Sequence, residues 1–198
     1  NRIGLIGLGI MGKPMANNLL QANHSLGLYA RNPKSLQSFS ANNIEIYNSP
    51  AELAEHCDIT ITIVSDSPDV ENIITGNDGI IYGAKPKHLV IDMSTISPEV
   101  TRSLAHQLAA KDIDMLDAPV SGGEQGAIDG TLSIMVGGKA DAFNYAFSLL
   151  QVLGQNIIHI GDHGAGQVSK ACNQILAAQT IAAVSEAFLL AKSSGVDP

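Results

Sequence analysis

A chain of 198 residues is long enough for one well-buried α/β domain with part of another, and too short for two domains of ordinary size. With 11 basic against 19 acidic residues, a net charge of −8 and no basic run, it is unsuited to gripping nucleic acid or an anionic membrane surface, which need clustered Lys and Arg. Its two cysteines, Cys57 and Cys172, lie far apart without paired-ligand spacing, so neither a disulfide framework nor a metal site is expected, and the expected compartment is a reducing cytoplasm.

The apolar run Ile3 to Ile6 reads as a buried first strand, since glycines break the opening segment too often for a signal-peptide core. It leads into Gly7-Leu8-Gly9-Ile10-Met11-Gly12 and an amphipathic helix carrying Met15, Leu19 and Leu20, with Pro14 in the first turn, where its missing N–H costs little. Strand, G-x-G-x-x-G and helix, in that order, are the context in which the motif binds a dinucleotide. The first glycine permits a tight bend, the second lets backbone approach a pyrophosphate, and the third lets the helix pack close to its strand. The phosphates then rest on free N–H groups at the helix N-terminus.

Ser25 to Tyr29 is predicted as a second strand, and Pro33 to Ser40 as a short helix entered through Asn32-Pro33. An NAD site usually places Asp or Glu at the end of that strand, about twenty residues past the glycines, whereas an NADP site uses Arg. Here stand Ala30-Arg31-Asn32, with Lys34 behind and no acidic residue nearby, which favours NADPH over NADH; the plainer alternative is a solvated surface Arg.

Ile44 to Tyr47 is a third predicted strand, and Ser49-Pro50-Ala51-Glu52 has capping-box spacing. Ile59 to Val64, wholly β-branched, is a fourth, ending in the helix start Ser65-Asp66-Ser67-Pro68. Leu89 to Asp92 repeats the pattern, followed by Ser94-Thr95 and a helix from Ser97-Pro98-Glu99 through Lys111. Such alternation specifies a parallel sheet with helices on both faces and ligands at the carboxyl ends of the strands. The loops at Ser65, Asp69 and Thr95 fall on that edge, where each residue either faces a ligand or merely caps a helix. Met115 to Val120 is a sixth strand running into Ser121-Gly122-Gly123, then come a strand Leu132 to Val136, a helix Ala140 to Leu153 and a strand Asn156 to Ile160.

Gly161-Asp162-His163-Gly164-Ala165-Gly166 reads as a flexible hinge, and about thirty residues without Gly or Pro follow, a helix roughly 40 Å long. Its apolar residues, among them Val168, Ile175, Leu176, Ile181 and Phe188, occupy more than one face and need covering by a further segment or a partner. Gln179, Ser185 and Glu186 interrupt it, so a membrane span is not expected. The closing Gly195-Val196-Asp197-Pro198 reads as the start of another helix in a longer protein. Asp117 to Gly123 is either a tight turn or a cradle of amides and a hydroxyl for a carboxylate. Lys170, Asn173 and Gln174 share one side of the long helix, where a lysine is ordinarily solvated.

Taken together, Gly7-Leu8-Gly9-Ile10-Met11-Gly12-Lys13-Pro14-Met15, Asp117 to Gly123 and Gly161-x-x-Gly164-x-Gly166-x-x-x-Lys170 resemble, in order and spacing, the signatures of the β-hydroxyacid dehydrogenase family. The resemblance covers essentially the whole chain. It implies a Rossmann-like, doubly wound, mostly parallel sheet over residues 1–161, a hinge and long interdomain helix over 162–198, and a C-terminal all-α domain of the family that this chain lacks. It also implies an NAD(P)-dependent oxidoreductase with Lys170 as catalytic acid/base. Ser121, Gly122 and Gly123 would hold the substrate carboxylate, with Asn173 or Gln174 on its hydroxyl or carboxylate. Gly7 to Gly12, Arg31, Asn32, Val64, Ser65, Asp69 and Thr95 would line the cofactor.

The runs Asp117 to Leu132 and Lys170 to Gln174 are most similar to the branch converting tartronate semialdehyde to D-glycerate, with the 3-hydroxyisobutyrate branch next. Many members carry Asn where this chain has Gln174, which leaves open which amide acts. The expected partners are a small carboxylate substrate and further copies of the chain. A 6-phosphogluconate-type activity would need basic groups that the Ser121 region does not offer, Glu124 standing there instead. The rival of another class is a catalytically silent dinucleotide-binding module used for assembly.

Overall fold

Apolar residues with a two-residue period build the sheet, because alternate side chains of a strand go to opposite faces and here both faces are covered. The computed structural model describes residues 2–39 and 43–198. Six strands, β1 (Arg2–Ile6), β2 (Ser25–Tyr29), β3 (Ile44–Ile46), β4 (Ile59–Thr62), β5 (Leu89–Asp92) and β6 (Asp114–Asp117), lie parallel in the spatial order β3-β2-β1-β4-β5-β6. The helices between them are α1 (Gly12–Gln21), α2 (Pro50–His56), α3 (Ser67–Thr75), α4 (Ile80–Gly83) and α5 (Pro98–Ala109). Leu5, Ile59, Ile61, Leu89, Ile91 and Leu116 belong to one buried cluster with residues of α1 and of the later part of the chain, whereas Ile6, Val90 and Met115 belong to the other, with residues of α2, α3 and α5. The strand order reverses direction between β1 and β4, the place where doubly wound sheets open a crevice.

Beyond β6 the chain continues as β7 (Val120–Ser121), α6 (Gly123–Asp129), β8 (Leu132–Gly138), α7 (Ala140–Leu150), β9 (Gly154–Gly161) and α8 (Ala165–Ser193). β8 runs antiparallel to β6 and β7, and parallel to β9. The expected strand Met115 to Val120 is therefore two strands. Pro119 has no N–H to give the ladder; its carbonyl still accepts from Met135 N at 3.1 Å, and the chain runs on along the same edge of β8, so the break is the one bond that the proline cannot make. The expected helix Pro33 to Ser40 is a single 3₁₀ turn, Pro33–Leu36, capped by Asn32, and Ser40 lies outside the described residues. Neither α4 nor α6 was foreseen, both being short and rich in glycine.

The segment expected to flex at Gly161 to Gly166 is fastened instead. Asp117, fully buried at the end of β6, accepts from Gly164 N through Oδ1 at 2.8 Å and from Gln167 N through Oδ2 at 3.0 Å. It caps α8, satisfying two N–H groups that a helix start leaves orphaned. From Ala171 onward nearly every residue of that 29-residue helix is exposed, Ile175, Leu176, Ile181 and Phe188 included. By length and mean hydropathy, 1.5, α8 could cross a membrane, so its polar interruptions do not exclude one on composition alone.

Candidate active site

The carboxyl ends of β1, β2 and β4 open into a crevice of about 830 Å³. Gly7 to Gly12, Arg31, Asn32, Val64, Ser65 and Asp69 all line it. Thr95 does not: it lies exposed on the loop after β5, one strand further along the sheet. Ser35, Asn48, Asn72 and Asn77 add polar groups that sequence reading missed. Only Asn72 left a trace there, standing three residues after Asp69 and so on the same face of α3.

Around the turn after β1, the three glycines meet different surroundings. Gly7 has φ +104°, which disfavours any side chain, and a Cβ on Gly12 would run into the carbonyl of Gly7. A Cβ on Gly9 would meet no atom within 4 Å, so the bareness of that residue keeps space open rather than backbone relaxed. α2 and α3 have their first turns capped by Ser49 and Asp66, but α1 has no side-chain cap. An uncapped helix start beside an open glycine is the cradle a pyrophosphate requires.

Beyond the end of β2, the expectation that no carboxylate stands near Arg31 is overturned. Asp69 belongs to the first turn of α3 rather than to a loop, and its Oδ1 receives Arg31 Nη1 at 2.9 Å. A residue 38 positions away supplies what the end of β2 lacks.

A second group of residues forms where β5, β6 and α8 meet. Gln167, buried in the first turn of α8, donates from Nε2 to Ser94 O at 2.8 Å and accepts from Ile96 N at 3.1 Å, clamping the loop that bears Thr95. Lys170 follows one turn later on the same side of α8. It is 8% exposed, and among the described residues no carboxylate pairs with its ammonium. Burial without a counter-charge lowers its pKa from the ordinary 10.5. Asn173 and Gln174 extend this line along α8 and are exposed.

Ser121 closes β7, half-buried, and Gly122 (φ 138°) and Gly123 (φ 62°) turn the chain into α6. Asn18 Nδ2 donates to Ala127 O at 2.8 Å and so ties α1 to α6. Between those helices lies a second hollow of about 500 Å³, walled by Gly9, Ile10, Lys13 and Glu124. The turn Leu8-Gly9-Ile10 is thus the partition between the crevice and this hollow. No three His, Cys, Asp or Glu side chains converge as a metal site among the described residues, and Cys57 and Cys172 are free thiols.

Beneath both groups runs a buried polar chain. Asp92, at the end of β5, accepts from Thr62 Oγ1 at 2.8 Å and from Ser94 N at 3.1 Å, and Ser94 Oγ accepts from Val64 N at 2.9 Å. Through Ser94 it joins the wall of the crevice to the loop held by Gln167.

Comparison with known proteins agrees with this arrangement. The family model described as the NAD binding domain of 6-phosphogluconate dehydrogenase matches residues 2–161. One described as NAD-binding of NADP-dependent 3-hydroxyisobutyrate dehydrogenase matches residues 164–198. The chain is 42% identical over 196 residues to a 3-hydroxyisobutyrate dehydrogenase of Pseudomonas aeruginosa, covering 99% of this chain and 66% of that protein. It is 43% identical over 197 residues to a 2-hydroxy-3-oxopropionate reductase of Escherichia coli, covering 100% of this chain and 67% of that one. The chain thus spans about two thirds of the length of these relatives. Among solved structures, the 3-hydroxyisobutyrate dehydrogenase of Mycobacterium tuberculosis with L-serine superposes with a TM-score of 0.92 at 35% identity, over 99% of this chain and 66% of that one. With the sheet order, the glycine cradle and both matched segments in agreement, the chain belongs to the β-hydroxyacid dehydrogenase family.

Proposed function

We propose that the whole protein is an NAD(P)-dependent oxidoreductase interconverting a short semialdehyde acid and its β-hydroxyacid. The tartronate semialdehyde and D-glycerate couple is the first choice and the 3-hydroxyisobutyrate couple the second, following the names of the relatives. One observation carries the reading: a lysine buried without a counter-charge, on a helix pinned to the same sheet edge that bears the nucleotide crevice.

The bound nicotinamide supplies or takes the hydride. What the chain supplies is position and a proton. Gly9 and the open start of α1 hold the pyrophosphate, and the residues lining the crevice hold the adenosine half. Ser121 and the amides of Gly122 and Gly123 bind the substrate carboxylate, and Asn173 or Gln174 orients its hydroxyl. Lys170 gives a proton to the oxygen of the aldehyde as it becomes an alcohol, and the neutral amine takes it back in oxidation. Burial favours that neutral form, so the lowered pKa serves the exchange. Residues 1–161 act as the nucleotide-binding unit and 162–198 open the helical part.

The test is Lys170→Ala in the whole protein, assayed with tartronate, methylmalonate and succinic semialdehydes and with NADH and NADPH. We expect kcat to fall about a hundredfold to ten-thousandfold, with nucleotide Kd within about twofold of the parent. An unimpaired variant removes the role of Lys170, and a parent that binds nucleotide but turns over none of these acids favours a silent assembly module.

A further inference from the structure

The Arg31–Asp69 pair is built unlike a surface ornament. Arg31 follows the end of β2 and Asp69 lies in α3 beyond the end of β4, so the contact reaches across β1, which stands between those strands, and both residues line the crevice. It is a single contact, Nη1 to Oδ1 at 2.9 Å. Among the described residues the remaining guanidinium N–H groups and Asp69 Oδ2 have no other hydrogen-bond partner. The arginine side chain is 84% exposed and the aspartate 31%. A cation rich in free donors and a carboxylate with a free oxygen thus stand together at one wall of a nucleotide crevice.

We infer that Asp69 is a specificity-determining residue that opposes Arg31 and keeps the crevice open to both nucleotide types. This rests on the proposed binding of NAD(P) there. The two cofactors differ only at the adenosine 2′ position. A 2′-hydroxyl is a donor that a carboxylate oxygen can accept from, and a 2′-phosphate is an anion that a guanidinium fork receives in bidentate fashion. Asp69 therefore favours NADH directly. It disfavours NADPH twice, by occupying one face of Arg31 and by placing a like charge beside the phosphate. Arg31 has the opposite preference, and neither residue alone sets the outcome.

The experiment measures Kd for NADH and for NADPH by nucleotide fluorescence, without turnover, on the full chain as parent, Asp69→Asn and Arg31→Ala. Asp69→Asn keeps the shape and removes the charge. We expect its preference for NADPH over NADH to rise about tenfold, and that of Arg31→Ala to fall by about as much, a factor of ten being about 1.4 kcal/mol. Thermal melts confirm folding, which an exposed pair does not govern. Parent binding with an Asp69→Asn ratio within about twofold of it overturns this inference alone. A parent that binds neither nucleotide overturns the proposed function and this inference with it.

Discussion

Gly9 and Gly12 share one motif, yet their bareness serves two separable ends. Adding a methyl to Gly9 meets nothing within the protein, so Gly9→Ala folds normally and loses only the room that a phosphate needs. Gly12→Ala drives the methyl into the Gly7 carbonyl, a backbone atom that cannot swing away, and should cost roughly 3 kcal/mol. The expected result is a Gly9→Ala melt near that of the parent with NADPH binding weakened about tenfold or more, and a Gly12→Ala melt clearly lowered before any ligand is added. Equal melts for both variants would sink the assignment. This motif was legible in sequence because its parts are neighbours. The carboxylate facing Arg31 was not, because Asp69 comes from another βα unit and nothing local announces that the two strand ends converge. Gln167 was overlooked for the same reason, its partners Ser94 and Ile96 lying about seventy residues upstream.

Between elements, the junction of β6 and α8 decides where the lysine stands. Asp117 is wedged against the bare backbones of Gly137 and Gly166, where any Cβ would collide with its carboxylate, and its two oxygens receive the N–H groups of Gly164 and Gln167. Asp117→Ala leaves both donors buried without acceptors, at about 1–3 kcal/mol each. We expect a lower urea midpoint and faster amide exchange at Gly164 and Gln167, ahead of exchange in β4 and β5. Unchanged exchange there would mean that α8 is held by other contacts. A glycine-rich run suggests mobility because glycine relaxes φ. Here Gly166 is required by its close approach to Met135 O and the Asp117 carboxylate, and Gly164 by its φ of +86° beside Pro98 O, reasons that composition does not reveal. Strand type was easier to foresee, since the β-branched run Ile59 to Thr62 and the apolar run Leu89 to Ile91 have few alternatives, but the break at Pro119 shows only once β8 lies alongside as the ladder partner that its missing N–H fails.

Across the whole molecule, the sheet edge that gathers the crevice, the clamped loop and the lysine also collects buried carboxylates, and that carries a cost in stability. Asp92 and Asp117 are register partners on β5 and β6, both fully buried. Burial first of all, with Asp117 adding a smaller push, raises the Asp92 pKa from 3.8 to about 6 against the pull of hydrogen bonds from Ser94 and Thr62. Its Oδ2 has no partner among the described residues. In the unfolded chain the carboxyl loses its proton near pH 4, while the folded protein keeps it until about pH 6. Between those values the native state binds more protons, so this group's contribution falls as pH rises, by an amount on the order of 3 kcal/mol for a shift of about two units, and is level above pH 6. Asp92→Asn retains an oxygen to accept from Thr62 and Ser94 and removes the titration. Denaturation at pH 4, 5, 6 and 7 should therefore show the variant gaining on the parent up to pH 6 and holding that gain beyond it. Parallel stability curves would show that the Asp92 carboxyl titrates alike in both states, and that the polar chain joining the crevice wall to the loop held by α8 is kept without charge strain.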